Sequence, residues 1–190
     1  ANLKTVDASA MTGALKYTIS SSVADFALTS NTGADIITVA TSNNAQVKTG
    51  AGDDTIIVQA GAVSANIWGG AGNDTFDVKA AISSATQYVT IEDATSGDKI
   101  LLKTDTFLSG SVSITDFDQM TLTDKFNAVL GDTGLNTAHA TGFAISFQHA
   151  GNTYIVVSDG DVTKNFGTGG TDQVIKLTGL KDLSAGASFN

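Results

Sequence analysis

The stretch Gly69-Gly70-Ala71-Gly72-Asn73-Asp74-Thr75-Phe76-Asp77, GGAGNDTFD, decides how the chain is read. Glycine weakens ordinary strands and helices, so glycines this dense serve a backbone shape or a ligand. The same pattern stands earlier as TGAGDDTII, from Thr49 to Ile57, and in weaker form as SNTGADIIT, from Ser30 to Thr38. Aligned on Asp35, Asp54 and Asp74, each copy has a glycine two places before (Gly33, Gly52, Gly72). Each also has an apolar residue two places after (Ile37, Ile56, Phe76). A second apolar position precedes each glycine turn: Leu28, Val47 and Ile67. A looser copy, TIEDATSGDKILL, aligns Asp98, with Ile100 in the core slot and Ile91 behind it. Its wider spacing marks an insertion, and Gly97 falls one place late.

A repeat near twenty residues signals a solenoid. Such a period runs one short strand, turns, returns on the opposite face and climbs one layer of ~4.8 Å. The pattern predicts two ladders, Ile37, Ile56 and Phe76 on one sheet and Leu28, Val47 and Ile67 on the other. The intervening half-turns, TSNNAQ, AGAVSA and AISSAT, lack the glycine-aspartate signature. One decorated edge and one plain edge are therefore expected.

The fold class read from this pattern is mainly all-β. A right-handed parallel β-roll over residues 1–103 carries metal-binding turns, and residues 104–190 form a C-terminal capping region. The opening LKTVDASAMTGALKYTI reads as a preceding coil or a capping strand. In the second part, Phe117 to Gly131 predicts a helix with Thr123 as N-cap. Phe126, Val129 and Leu130 share one face, and Gly131 is the stop. FAISFQHAGNTYIVVSDG predicts a hairpin around Ala150-Gly151-Asn152, and TDQVIKLTGL a last strand. The tail KDLSAGASFN reads as frayed or loosely packed. The chain starts at alanine without a leader, so it is expected to be a piece of a longer protein. No apolar run approaches the ~18 residues of a membrane span.

Composition narrows the chemistry. The net charge is −9, all ten basic residues are lysine, and of the nineteen acids only Glu92 is glutamate. Aspartate suits tight turns and, as a short carboxylate, hard cations. A nucleic acid would be repelled, and no arginine exists to pair with phosphate. Without cysteine there are no disulfides, zinc thiolate sites or thiol nucleophiles.

Stacking the turns places Asp35, Asp54, Asp74 and Asp98 in a column. At ~5 Å and an effective dielectric near ~20, each neighbouring pair of ionised carboxylates repels by roughly 3 kcal/mol. A cation between them removes that cost. The expected ligands are these aspartates with the backbone oxygens of Thr49, Gly50, Ala51 and Gly52 and of Gly69, Gly70, Ala71 and Gly72. An all-oxygen set of this kind suits Ca²⁺, whereas Mg²⁺ demands stricter octahedral geometry and more water. The gap between Asp54 and Asp74 is the firmest site. Thr49 in place of the first glycine, and Ser30-Asn31 in the degenerate copy, weaken the outer turns.

GGxGxDxUx is the calcium-binding repeat of RTX proteins. The chain resembles the C-terminal part of an RTX-type surface-layer protein exported by a bacterial type I secretion system. The glycine-aspartate copies carry the resemblance over roughly residues 28–102. TIEDATSGDKILL is similar to the segment that closes such rolls. GNTYIVVSDGD followed by GTDQVIKLTGLKDLS resembles the terminal region near the secretion signal, and LKTVDASAMTGAL resembles a motif of RTX surface-layer proteins. The resemblance implies calcium-driven folding outside the cell and self-association into a surface lattice. It also implies passage through the type I exporter and attachment to cell-surface lipopolysaccharide through the remainder of the protein. The other classes it allows are the secretion and folding domain of an extracellular protease or lipase, and an adhesin's terminal module.

Catalysis by this chain is not expected. Its histidines are His139 and His149, it has no HExxH or GxSxG, and a Ser-His-Asp set can be drawn only arbitrarily. His149 reads as a solvated turn residue and Trp68 as packed on a sheet face. Ser158-Asp159-Gly160-Asp161, and Asp116 with Asp118, read as solvated turns, with a calcium loop as the alternative at each. The threonines form no regular ice-binding array.

Overall fold

The structure, a computed structural model, describes residues 3–20, 24–84, 86–104, 106–108, 117–130, 142–159 and 172–183. The first coil is β1 (Thr5–Asp7) and β2 (Lys16–Ile19). Then come β3 (Ala27–Thr29), β4 (Ile36–Ala51), β5 (Thr55–Ala71), β6 (Thr75–Asp77), β7 (Val89–Ile91) and β8 (Lys99–Leu101). All pairs among these eight strands are parallel. Strands β4 and β5 run along one face, round a bulged corner and along the other, so a single hydrogen-bonded sheet wraps into a solenoid. The fold is a parallel β-solenoid of about 5 turns, mainly β, with one short helix.

The register reproduces the two ladders. On the first face Tyr17, Ile37, Ile56, Phe76 and Ile100 are successive partners. On the second the order is Val6, Leu28, Val47, Ile67, Ile91 and Leu177. Period-2 alternation puts these apolar side chains inward, and Leu28 to Ile91 and Ile37 to Ile100 are buried in one core. The opening residues form the preceding coil. At the plain corner the register shifts between Val39 and Ala45, and Asn44 takes φ 60° with its side chain on Asp25. The insertion foreseen in the fourth copy lies on this side, between β6 and β7.

Beyond the coils, β9 (Phe107–Leu108) pairs parallel with β10 (Phe143–His149). Strand β10 forms a hairpin with β11 (Asn152–Ser158) through Ala150 and Gly151, both at positive φ. Strand β12 (Gln173–Leu177) pairs antiparallel with β11 and parallel with β7, so the second face of the solenoid continues directly into the C-terminal strands. Gln173 fixes this junction: its side-chain amide donates to the carbonyls of Val78 (3.2 Å), Lys79 (3.0 Å) and Ala81 (2.5 Å). Ser83 adds a bond to the Val174 carbonyl.

A 3₁₀ turn at Phe117–Gln119 precedes helix α1 (Leu122–Leu130). The expected N-cap, Thr123, is corrected to Thr121. The Thr121 hydroxyl accepts the Asp124 amide (3.2 Å), an N-cap, and donates to the Asp124 carboxylate (2.6 Å). Phe126, Val129 and Leu130 are buried as expected, in a second core with Phe143, Phe147, Tyr154 and Val156. The stop at Gly131 and the tail beyond Leu183 lie outside the described residues.

Candidate metal centre

The glycine-aspartate turns stack on one edge, and the glycines have two physical jobs there. Gly50, Gly52, Gly70 and Gly72 all take positive φ, between 94° and 142°, a region costly for other residues. They also let the layers close up. A Cβ on Gly70 would overlap the Gly50 carbonyl oxygen, and one on Gly72 would overlap that of Gly52. Gly50 meets the Asn31 carbonyl in the same way. Gly69 is different: a Cβ there would overlap Oδ2 of Asp74, so its missing side chain makes room for a carboxylate.

The aspartate column is formed, and it is hydrogen-bonded along its length. Asp35 Oδ1 accepts the amide of Leu15 (2.6 Å), and Asp54 Oδ1 that of Asp35 (2.7 Å). Asp74 Oδ1 accepts the amide of Asp54 (2.9 Å), and Asp98 Oδ1 that of Asp74 (2.9 Å). Each aspartate thus caps a turn amide one layer back, a role the sequence reading did not assign. All four are at most 3% exposed.

Their second oxygens divide the column. Asp35 Oδ2 accepts the Ser30 hydroxyl and the Asn31 amide (3.4 Å). Asp98 Oδ2 accepts the Thr95 amide (2.7 Å) and hydroxyl (3.3 Å). Oδ2 of Asp54 and Oδ2 of Asp74 are buried with no hydrogen-bond partner. A buried carboxylate oxygen left without a donor is costly, and a cation is the usual remedy.

The electrostatics point the same way. Burial pushes the Asp74 carboxyl up to about 6, opposed by the Asp54 amide and reinforced by the charges of Asp98, Asp54 and Asp93. Burial also raises Asp54, against the pull of the Asp35 amide and the nearby Thr49 hydroxyl. That hydroxyl donates to the carbonyls of Gly69 (2.8 Å) and Trp68 (3.2 Å). Of the other predicted carbonyl ligands, Ala71 O already accepts the Gly52 amide (2.8 Å). Gly50 O and Gly52 O point up the stack at Gly70 and Gly72.

Asp93 is a site residue that sequence reasoning missed. It occupies the layer above Gly69, and its two oxygens accept the amides of Gly69 (3.0 Å) and Gly70 (2.9 Å). Burial raises its carboxyl against those two bonds. Its neighbours are tied to the C-terminal strands: the Thr178 hydroxyl donates to Glu92 (2.6 Å), and the Lys181 ammonium to the Ala94 carbonyl (2.6 Å). The available signal was its place five residues before Asp98, the position of Ser30, Thr49 and Gly69 in the other copies.

Among the described residues no three histidine, aspartate or glutamate side chains converge as a metal-binding group. A cation on Asp54 and Asp74 would therefore complete its shell with main-chain oxygens and water. Away from this edge, Trp68 is half-buried on the outer sheet face with the Lys48 ammonium 4.9 Å from its ring. His149 ends β10, its ring 6.4 Å from that of Tyr154. Asp159 donates its amide to Asp172 (3.0 Å), and Asp118 is exposed in the 3₁₀ turn. Asp116, His139 and Asp161 lie outside the described residues. No helix among the described residues is long and apolar enough to cross a membrane. No protein-family model matches the chain, and no curated protein matches it either.

Proposed function

We propose that the chain is a non-catalytic, calcium-dependent structural module of a secreted bacterial surface-layer protein. The observation that carries the calcium reading is the pair of buried, unpartnered oxygens, Oδ2 of Asp54 and Oδ2 of Asp74, in adjacent layers of the solenoid. Asp54 and Asp74 hold the ion, and the turns Thr49–Gly52 and Gly69–Gly72 supply carbonyl oxygens. Calcium supplies positive charge where buried carboxylates otherwise repel. In a calcium-poor cytosol that repulsion weakens the roll, which suits export of an unfolded chain. Outside, binding energy becomes folding energy.

The surface-layer part of the reading rests on the RTX resemblance. The test is calcium titration of EGTA-stripped protein with light scattering and negative-stain microscopy. Ordered sheets that appear with calcium and dissolve with EGTA support the surface-layer reading. A calcium-bound folded monomer replaces it with the export domain of an extracellular enzyme or adhesin.

A further inference from the structure

We infer that the described aspartate column holds a single calcium ion, between the turns of Asp54 and Asp74, and that the gaps on either side are closed by the protein's own donors. The inference rests on the calcium reading above and adds its occupancy. A column of four aspartates at matched spacing suggests three equivalent gaps. The second carboxylate oxygens show that the gaps differ.

The difference follows from the residue five places before each aspartate. For Asp35 it is Ser30, whose hydroxyl donates to Asp35 Oδ2. The next residue is Asn31, where the inner turns have Gly50 and Gly70. Its amide also reaches Asp35 Oδ2, and its side-chain oxygen accepts the Gly33 amide (2.7 Å). Uncharged donors of this turn thus already hold Asp35 Oδ2, although Asn31 Nδ2 is buried without a partner. For Asp54 the residue is Thr49, whose hydroxyl lies close enough to lower the carboxyl but makes its hydrogen bonds to the carbonyls of Trp68 and Gly69, which leaves Asp54 Oδ2 without a hydrogen bond. For Asp74 it is Gly69, which has no donor side chain and makes room for Oδ2. For Asp98 the position is Asp93, which is committed to the Gly69 and Gly70 amides, and Thr95 closes Asp98 Oδ2 with two bonds. A calcium ion entering either outer gap would have to break donors already in place. Between Asp54 and Asp74 both Oδ2 atoms meet it with no hydrogen bond to break.

The test counts bound calcium on the full chain by native mass spectrometry and equilibrium dialysis, in four single variants: Asp35→Asn, Asp54→Asn, Asp74→Asn and Asp98→Asn. Asparagine keeps the Oδ1 acceptor, so the amide caps survive. Asp54→Asn and Asp74→Asn are expected each to lose one ion relative to the parent, and Asp35→Asn and Asp98→Asn to lose none. Loss of an ion in Asp35→Asn or Asp98→Asn overturns the single-ion inference while leaving calcium binding intact. Loss in none of the four overturns the calcium reading itself. A gain-of-site variant keeps the inference open to refutation should an asparagine variant not fold. Ser30→Gly with Asn31→Gly rewrites that turn as GGTGAD and removes the Ser30 hydroxyl; it is expected to bind one more ion than the parent. An unchanged count overturns the closure of that gap.

Discussion

Replacing Asp74 by asparagine separates the charge of this site from its shape. The Asp74 carboxyl lies at about 6 instead of 3.8, with burial the main cause. At 1.36 kcal/mol per pKa unit, and allowing for screening by water, the ionised form costs the calcium-free fold on the order of 2 kcal/mol. The sign follows from proton linkage. A folded-state value above the unfolded one means the folded state holds the proton more tightly. The stabilisation is complete below 3.8 and is lost as pH rises through about 6. Asparagine keeps the acceptor for the Asp54 amide but puts a buried N–H₂ where Oδ2 has no partner, at a cost of about 1 kcal/mol. In EGTA near pH ~7.5, Asp74→Asn is therefore expected to be more stable than the parent by about 1 kcal/mol. Near pH ~5 the parent is largely protonated and the advantage disappears. In calcium the order reverses. The parent gains about 2.7 kcal/mol at a hundredfold excess over Kd, and the variant gains little. Urea unfolding followed by circular dichroism, at both pH values with EGTA and with calcium, reads all of these. An equal loss of stability in EGTA and in calcium would refute the reasoning, because it would make Asp74 a structural cap and nothing more.

Other perturbations probe the scaffold around the ion. Gly70→Ala places a side chain at φ 94° and against the Gly50 carbonyl, so a loss of roughly 2–4 kcal/mol is expected in thermal unfolding, with calcium or without. Asp93→Ala strands the amides of Gly69 and Gly70; it is expected to lower stability by about 1–3 kcal/mol and to weaken calcium binding in isothermal titration. Gln173→Ala removes three bonds to the corner at residues 78–81, and is expected to lower Tm and to speed proteolysis at that corner.

The repeating part of the fold was legible because two periods coincide in it. Apolar residues alternate at period 2 within each strand and recur every layer, which fixed both ladders from Leu28 and Ile37 onward. The helix was legible from Phe126, Val129 and Leu130, but its start was placed two residues late. Thr123 looked like the cap, whereas the Thr121 hydroxyl takes the Asp124 amide. The junction of β12 with β7 was not legible. It pairs Ile175 with Val89, far apart in sequence and outside the repeat, so no local pattern announces it. At the site, the motif located the aspartates but not the fate of each oxygen. Whether Ser30, Thr49 or Thr95 donates to a neighbouring carboxylate depends on side-chain direction, which spacing does not encode. Asp93 was hidden for the same reason: it acts on glycines one layer away.

The most direct measurement is a calcium titration of EGTA-stripped protein, followed by far-ultraviolet circular dichroism, on the parent and on Asp54→Asn/Asp74→Asn. The account expects β signal or unfolding temperature to rise saturably with calcium in the parent and to stay flat in the double variant. Full β signal and an unchanged unfolding temperature in the parent, with EGTA and with calcium alike, would contradict it: the column would then be a ladder of hydrogen-bonded turns and not a cation site.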